Sequence, residues 1–438
     1  MEPLGDWRRT HWSSEITPAL DGTTVTVCGW VHRIRDLGRL VFIVLRDREG
    51  VVQITIPKDK VPEHTFEKAK KLIREDVIAV RGKVRFYEKA PNNVEIIANE
   101  IRILNKVSPP LPLDPAGDVD ADLDTRLNAR IIDLRRPQTF AIFRINHIVL
   151  QSIREFLTNE GFIEVNTPKI IATATEGGTA LFPVSYFGRQ AFLAQSPQLY
   201  KEELTAALEK VFEIGPVFRA EEHNTTRHLC ELVMVDLECA FATADDVMNI
   251  LERLIAHVFR EVKSKCSKEL KILNREDLEV PGTPFPRYTY TQVLELLREH
   301  GIEIPWGEDL PTPALRKLGE ILKGPYFITE WPTESKPFYI KPKDEDPKVS
   351  ESFDFMWGWL ELASGGTRIH NKELLIKRLK EQGLNPKSFE YHLRVFDWGM
   401  PPHAGWGLGL ARLLMVICNV RNIRECVLFP RDKSRLVP

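Results

Sequence analysis

Phe218–His228, FRAEEHNTTRH, and Gly405–Arg412, GWGLGLAR, decide how this chain is read. The first follows an apolar run, VFEIGPVF, whose composition predicts a strand delivering Arg219 into a polar loop with Glu221, His223, Asn224, Arg227 and His228. In the second, alternate residues are glycine, so the backbone can lie close against a flat or bulky ligand without Cβ clashes, and Arg412 follows soon after. Arginine's planar fork grips phosphate oxygens in pairs and stacks on flat rings. Either segment alone reads equally well as a surface loop or a glycine-bearing strand; together they point to a polyphosphate clamp. No Walker-type GxxxxGK[ST] is present, and no GxGxxG opens a helix after a strand.

A chain of 438 residues suggests two or three domains with ample core. Hydrophobic residues at 43% and charged residues at 28% are ordinary for a globular protein. The 60 basic and 62 acidic residues nearly cancel, so a nucleic-acid partner would be held by local patches rather than by a global field. The six cysteines have no CxxC spacing, which argues for reduced, mostly buried thiols over a zinc ribbon or disulfide scaffold. The stretch MEPLGDWRRTHW has no apolar signal region, and no apolar run reaches the roughly 18 residues of a membrane span. A cytoplasmic address without a membrane partner is expected.

Between Thr23 and Val107 the β-branched and aromatic runs TVTVCGWV, LVFIVLRD, VVQITI and VIAVRGKVRFY alternate with turns. One helix is expected from Glu63 to Arg74, with Phe66, Ala69, Leu72 and Ile73 on one face. Five strands and a helix fit a small Greek-key barrel of the OB type, with a β-sandwich fragment as the competing reading. The division expected is a barrel over 1–107, a proline-dense and acidic hinge over 108–137, and a larger domain over 138–438. In that domain Pro137 to Asn159 predicts a long amphipathic helix stopped by Gly161. The runs AFLAQ, KVFEIGPVF, LVMVDLECAF, GWLELAS and VLFP read as strands mixed irregularly with helices such as Asp245 to Lys263 and Lys372 to Gln382, which favours an antiparallel sheet flanked by helices. Dense charge and proline suggest an exposed insertion around 264–345, with a stability role as the equal alternative. The fold class is α+β.

The two opening segments resemble motifs 2 and 3 of the class II aminoacyl-tRNA synthetases, and the likeness covers nearly the whole chain. A helix leading into Pro168 resembles motif 1. The segments ATATEGGTALFP, SPQLYKE, PFPR, KPFY, NPKSFE, GMPPHAGWG and LFPRDKSRL look like the archaeal aspartyl-tRNA synthetases. The resemblance implies an OB-fold anticodon-binding domain, a class II catalytic domain, and a homodimer formed through motif 1. It implies aspartate activation with ATP and Mg²⁺, then transfer to tRNA(Asp).

For ATP the resemblance implies Arg219 and Arg412 as the catalytic phosphate ligands, His223 near the β/γ end and Glu221 toward adenine, with Arg227, His228, Leu232, Glu361 and Gly409 around them. Asp354 and Glu361, with Ser364, would hold the metal; oxygen-only donors suit magnesium, although acids at this spacing are usually unrelated surface charges. For aspartate, Lys201 and Arg368 supply the fixed positive charge that a carboxylate side chain needs. Asp236 would take the substrate ammonium, with Ser196, Gln198, Ser364 and Glu176 completing the pocket. The similar asparagine enzymes carry an apolar residue where Lys201 stands, which disfavours an asparaginyl-tRNA synthetase. Ala411 stands where most relatives carry an acid before the motif 3 arginine, depriving Arg412 of an orienting partner, and Leu232 stands where a phenylalanine commonly stacks on adenine. These two losses would also suit a catalytically impaired RNA-binding paralogue.

In the barrel, Phe42, Gln53 and Glu95 match anticodon-reading positions, with Arg33 nearby; a core phenylalanine is the ordinary alternative for Phe42. His32 stands where discriminating archaeal relatives have a tryptophan, and Ala90 to Asn92 lack their lysine. A non-discriminating enzyme, also charging tRNA(Asn), is expected over a discriminating one.

Overall fold

In the computed structural model, which describes residues 1–172, 180–221 and 225–438, the chain divides into two units, Met1–Ala121 and Asp122–Pro438. In the first, strands β1 (Thr24–Asp36), β2 (Leu40–Arg46) and β3 (Val51–Pro57), helix α1 (Glu63–Lys70), and strands β4 (Val77–Phe86) and β5 (Val94–Asn105) follow one another. The strands close a barrel in the order β1-β2-β3-β5-β4, which excludes the sandwich. Strand alternation sends Val41, Ile43, Leu45, Val52, Ile54 and Ile56 into the interior and Phe42, Val44 and Gln53 to the outer face. Helix α1 ends at Lys70, short of Arg74, so Leu72 is buried while Ile73 stays 41% exposed.

The second unit begins inside the stretch expected as a hinge, with α2 (Leu123–Asn128) and α3 (Arg130–Asp133). Arg130 is 1% exposed and donates to the carbonyls of Val427 and Leu428 at 2.8 and 2.9 Å. Those acceptors are what a neighbouring strand would need, and the expected VLFP strand does not form.

Then follow α4 (Pro137–Asn159), β6 (Ile163–Glu164), β7 (Ile170–Ile171), β8 (Pro183–Tyr186), β9 (Arg189–Leu193), α5 (Gln198–Leu208), β10 (Lys210–Phe218), β11 (Glu231–Ala240) and α6 (Ala244–Lys265). The stretch 264–345 contains α7 (Ser267–Ile272), β12 (Arg287–Thr289), α8 (Tyr290–Glu299), α9 (Thr312–Ile321) and β13 (Pro325–Thr329). The chain continues through β14 (Ser352–Trp357), β15 (Leu360–Thr367), α10 (Lys372–Glu381), α11 (Glu390–Phe396), β16 (His403–Gly409) and α12 (Leu410–Cys418).

An eight-stranded sheet runs β12-β13-β14-β15-β16-β11-β10-β6, antiparallel in its middle and parallel only at its two ends, where β12 meets β13 and β10 meets β6. Strands β7, β9 and β8 form a separate small sheet. The stretch 264–345 is therefore not an exposed insertion. It lengthens the main sheet by two strands and packs Tyr290, Val293, Leu297, Leu318, Tyr326 and Trp331 into a core of its own, its charges lying on the outer faces of amphipathic helices.

On the main sheet, Val235, Leu237, Ala404, Trp406 and Leu408 face a core shared with α4, α6 and α12. Helix α4 has the bounds the sequence predicts, and Gly161 beyond it takes a φ of +84°. All six cysteines are free thiols, Cys28 part-exposed and the others buried. Among the described residues no helix is long and apolar enough to cross a membrane.

Candidate active site

The sheet face opposite that core carries the chemistry. Strand registers set Asp236, Gly407, Ser364 and Asp354 side by side across β11, β16, β15 and β14, and one pleat along, Glu238, Gly405 and Gly366 repeat the row. A Cβ on Gly405 would run into the Glu238 carboxylate, and one on Gly407 would stand 3.1 Å from Asp236 Oδ1. The alternating glycines thus clear a floor for two carboxylates. At Gly409 the nearest atom would be 3.7 Å away. Gly405→Ala is expected to destabilise the unit by about 1–3 kcal/mol through overpacking, and Gly409→Ala by less than about 0.5 kcal/mol; denaturant melts of the two variants check this.

Helix α5 delivers Gln198, Lys201, Glu202 and Thr205 from one buried face, as i, i+3, i+4 and i+7 spacing requires. The Lys201 ammonium, 2% exposed, donates to Asp236 Oδ1 at 3.0 Å and to the Trp406 carbonyl at 3.1 Å, and lies 3.4 Å from Glu238 Oε2. Arg368 spreads its fork over the same Glu238, Nε at 2.9 Å and Nη2 at 3.3 Å. Burial disfavours that guanidinium's charge, but the Glu238 carboxylate outweighs it and holds Arg368 firmly protonated. Glu238 was not read from the sequence; its signal was the two-residue step from Asp236, which puts both on one face of a strand.

A cavity of about 350 Å³ opens over this floor. Arg219, Glu221, Arg227, His228, Leu232, Asp236, Arg368 and Arg412 line it, as do Ser196, Gln198, Glu361, Ser364, Gly409 and Ala411. The two arginines of distant sequence segments thus share one cavity with Arg368, and Lys201 joins them from below. Arg412 Nη1 donates to the Glu361 carbonyl at 2.8 Å, so the backbone supplies the orienting contact that Ala411 cannot. Arg227 donates to Thr312 Oγ1 at 3.0 Å and lies over the Trp359 ring. His228 Nδ1 sits 2.7 Å from Thr225 Oγ1; burial, then Arg412, hold its pKa below the ordinary histidine value. Glu176 and His223 lie outside the described residues.

Asp354 and Glu361 belong to the hairpin of β14 and β15, where an irregularity between Phe355 and Met356 shifts the register and leaves Asp354 opposite Ser364. Both Asp354 oxygens are 2.9 Å from Lys336 Nζ. Loss of solvent in the cavity, then the neighbouring Asp354, push the Glu361 carboxyl up. Among the described residues no group of three or more His, Cys, Asp or Glu side chains forms a metal cage, so a cation here would rest on two carboxylates, the Ser364 hydroxyl and a ligand's own oxygens.

In the barrel unit, Gln53 pairs in register with Glu95 on one side and Val44 on the other. Glu95 is 1% exposed; it accepts from Gln53 Nε2 at 3.1 Å, from Arg85 Nε at 2.7 Å and from the Thr55 hydroxyl. Phe42 stands on the outer face beside this cluster, which corrects the core reading and leaves its ring available for stacking. Arg33 pairs loosely with Asp118 at 3.4 Å, both side chains 67% exposed. His32 occupies an irregularity in β1 between Val31 and Arg33, its Nδ1 3.2 Å from Arg46, which is itself clamped by the buried Glu75 at 2.7 Å.

A motif 2 strand and loop, a motif 3 glycine strand running into its helix, and arginines from both in one cavity on an antiparallel sheet define a class II aminoacyl-tRNA synthetase core, and a closed barrel precedes it. Residues 122–433 match the family of tRNA synthetases class II (D, K and N), and residues 25–104 match the OB-fold nucleic acid binding domain. The chain belongs to the class II tRNA synthetases of that D, K and N group, and it is an enzyme. It is 57% identical to a protein named "Aspartate--tRNA(Asp/Asn) ligase" from Archaeoglobus fulgidus over 98% of this chain and 99% of that one. A protein of the same name from Methanopyrus kandleri is 58% identical, with 98% and 99% covered. Among solved structures, asparaginyl-tRNA synthetase from Pyrococcus horikoshii complexed with asparaginyl-adenylate is similar with a TM-score of 0.92, 33% identity, and 98% of this chain and 100% of that one covered. Aspartyl tRNA synthetase from Entamoeba histolytica has a TM-score of 0.86 at 32% identity, covering 100% and 94%.

Proposed function

We propose that the chain activates L-aspartate with ATP, giving aspartyl adenylate and pyrophosphate, and transfers the aspartyl group to tRNA(Asp) and also to tRNA(Asn). The observation that carries the amino-acid choice is the buried pair of cations, Lys201 and Arg368, between Asp236, Glu238 and the cavity. Arg368 and Lys201 would bind the substrate side-chain carboxylate, and Asp236 would accept from its ammonium. An amide in that place offers one acceptor and turns its NH₂ donor toward Lys201 or Arg368, which only donate, a larger penalty than the roughly 10 to 200-fold that shape alone supplies between close analogues.

In the first step the substrate α-carboxylate attacks the α-phosphate in line and pyrophosphate leaves. Arg219 would neutralise charge on the α-phosphate and Arg412 on the far phosphates, Arg412 with its fork already set by the Glu361 carbonyl. Glu221 and Leu232 would flank the adenine. Asp354, Glu361 and Ser364 form an oxygen-only donor set that would hold Mg²⁺, whose chemistry when bound would be to offset phosphate charge. In the second step the terminal ribose hydroxyl of tRNA attacks the adenylate carbonyl and AMP leaves. No protein nucleophile is needed, because positioning and charge neutralisation supply the rate.

On the barrel, Phe42 would stack on an anticodon base while Gln53, oriented by Glu95, and Arg33 contact its neighbours. The tolerance for two anticodons is assigned to His32. Burial, then Arg46, Arg74 and Arg33, hold its pKa below the ordinary histidine value, so the side chain stays neutral beside the base it meets. The curated relatives' names, with their printed pair of tRNAs, support this reading. A homodimer through motif 1 is supported by apolar side chains left exposed on either side of Pro168, Ile163 at 48% and Ile170 at 51%. Charging assays with purified tRNA(Asp) and tRNA(Asn) test the proposal: comparable kcat/KM values for the two are expected, and a strong preference for tRNA(Asp) removes the second substrate.

A further inference from the structure

Behind the two cations lies a second buried layer that the reaction as described does not use. Glu202 is 0% exposed and stands one helical turn beyond Gln198. Gln198 Nε2 donates to Glu202 Oε1 at 2.6 Å, and His403 Nε2 lies 3.4 Å from Glu202 Oε2. The other ring nitrogen of His403, Nδ1, is 2.8 Å from the Pro401 carbonyl. The Pro401 carbonyl only accepts, so Nδ1 carries a proton; with Glu202 ionised, its pKa being held below the ordinary carboxylate value, Nε2 carries a second and the fully buried ring is a cation. The charges agree. Glu202, Asp236 and Glu238 are three buried acids against Lys201 and Arg368, and a third cation leaves the cluster neutral. Because Glu202 takes the amide NH₂ of Gln198, the carbonyl oxygen of Gln198 is left for the cavity, where only an acceptor suits an incoming ammonium.

We infer that Glu202, with the His403 imidazolium against it, is a positioning residue for aspartate: it locks the Gln198 amide with its oxygen toward the substrate ammonium. The inference rests on the proposed aspartate activation and adds a residue pair to it.

A pH dependence follows. His403 is faced by Glu202 from α5, Glu238 from β11, His392 from α11, and Arg368 and His370 beyond β15. Burial works against its charge, but the Glu202 hydrogen bond and then the Glu202 and Glu238 charges raise its pKa. Glu202 is lowered by His403, His392 and Arg368 in spite of its own burial. His392 turns Nδ1 to the part-exposed Glu203 at 3.0 Å. A raised histidine keeps its proton below its ordinary value and loses it as pH climbs through the raised one. On the alkaline side the cluster then gains a negative charge facing an anionic substrate, and aspartate affinity falls.

The test is aspartate-dependent ATP–pyrophosphate exchange by the full-length protein. Exchange by the wild type decides the proposed function itself. Glu202→Gln is then expected to raise the aspartate KM about tenfold at neutral pH while the ATP KM stays as in the wild type. The wild-type aspartate KM is expected to climb as pH rises beyond the ordinary histidine value of about 6.5, and Glu202→Gln and His403→Gln are expected to flatten that climb. Should either variant fail to fold, as thermal melts would reveal, NMR of ¹⁵N-histidine wild-type protein reads the His403 ring directly. An ordinary aspartate KM in Glu202→Gln, aspartate and ATP KM values rising together, or a His403 ring that is neutral near pH 7 would overturn the inference.

Discussion

Lys201→Met is expected to lower kcat/KM for aspartate by about 10⁴-fold, the scale seen when a site built to bind a polar group loses its partner. The substitution keeps volume and removes one ammonium, so packing is not the reason. In the wild type that ammonium lies 3.0 Å from Asp236 and 3.4 Å from Glu238. Without it Arg368 is left alone against two buried carboxylates, and a third arrives with the substrate. Breaking a buried pair in this way also costs stability, about 3–5 kcal/mol. Exchange assays with aspartate titrated at saturating ATP read the first effect and denaturant melts the second. A variant that melted early yet kept its aspartate kcat/KM would detach Lys201 from the substrate.

What the sequence could disclose follows from how local each feature is. Helix α4 and strand β10 are set by patterns within their own residues, and both were legible to their ends. Arg219, Arg412, Lys201 and Arg368 were legible because each sits in a short distinctive segment. Glu238 was two residues from a recognised acid and could have been found by alternation, yet its importance comes from Lys201 and Arg368, which only strand register and helix packing bring to it. Glu202 and His403 are 201 residues apart, and nothing local pairs them. The misreadings were of the same kind. VLFP has strand composition, but a buried guanidinium takes its carbonyls. β12 and β13 are short, and their charged, proline-rich surroundings hid the fact that they finish a sheet begun elsewhere.

Arg412→Lys keeps the charge and the approximate length of the side chain, and it is expected to lower the exchange kcat by about 10²–10³-fold, the scale of losing one preorganised donor to transition-state charge. The guanidinium spends one arm on the Glu361 carbonyl at 2.8 Å, which aims the rest of the fork into the cavity. An ammonium has no such division of labour: if it takes the carbonyl it leaves the phosphates, and if it reaches the phosphates it is no longer aimed. Burial, the leading influence, already lowers the Arg412 pKa, and the nearby Arg219 and Arg227 add to this. A lysine there, with its lower intrinsic pKa, would be the more easily discharged of the two. Because Lys201 and Arg368 are untouched, the aspartate KM is expected to hold while kcat falls. A titration of both substrates separates these readings, and an aspartate KM that rose with the loss of kcat would place Arg412 in the amino-acid pocket instead of on the nucleotide.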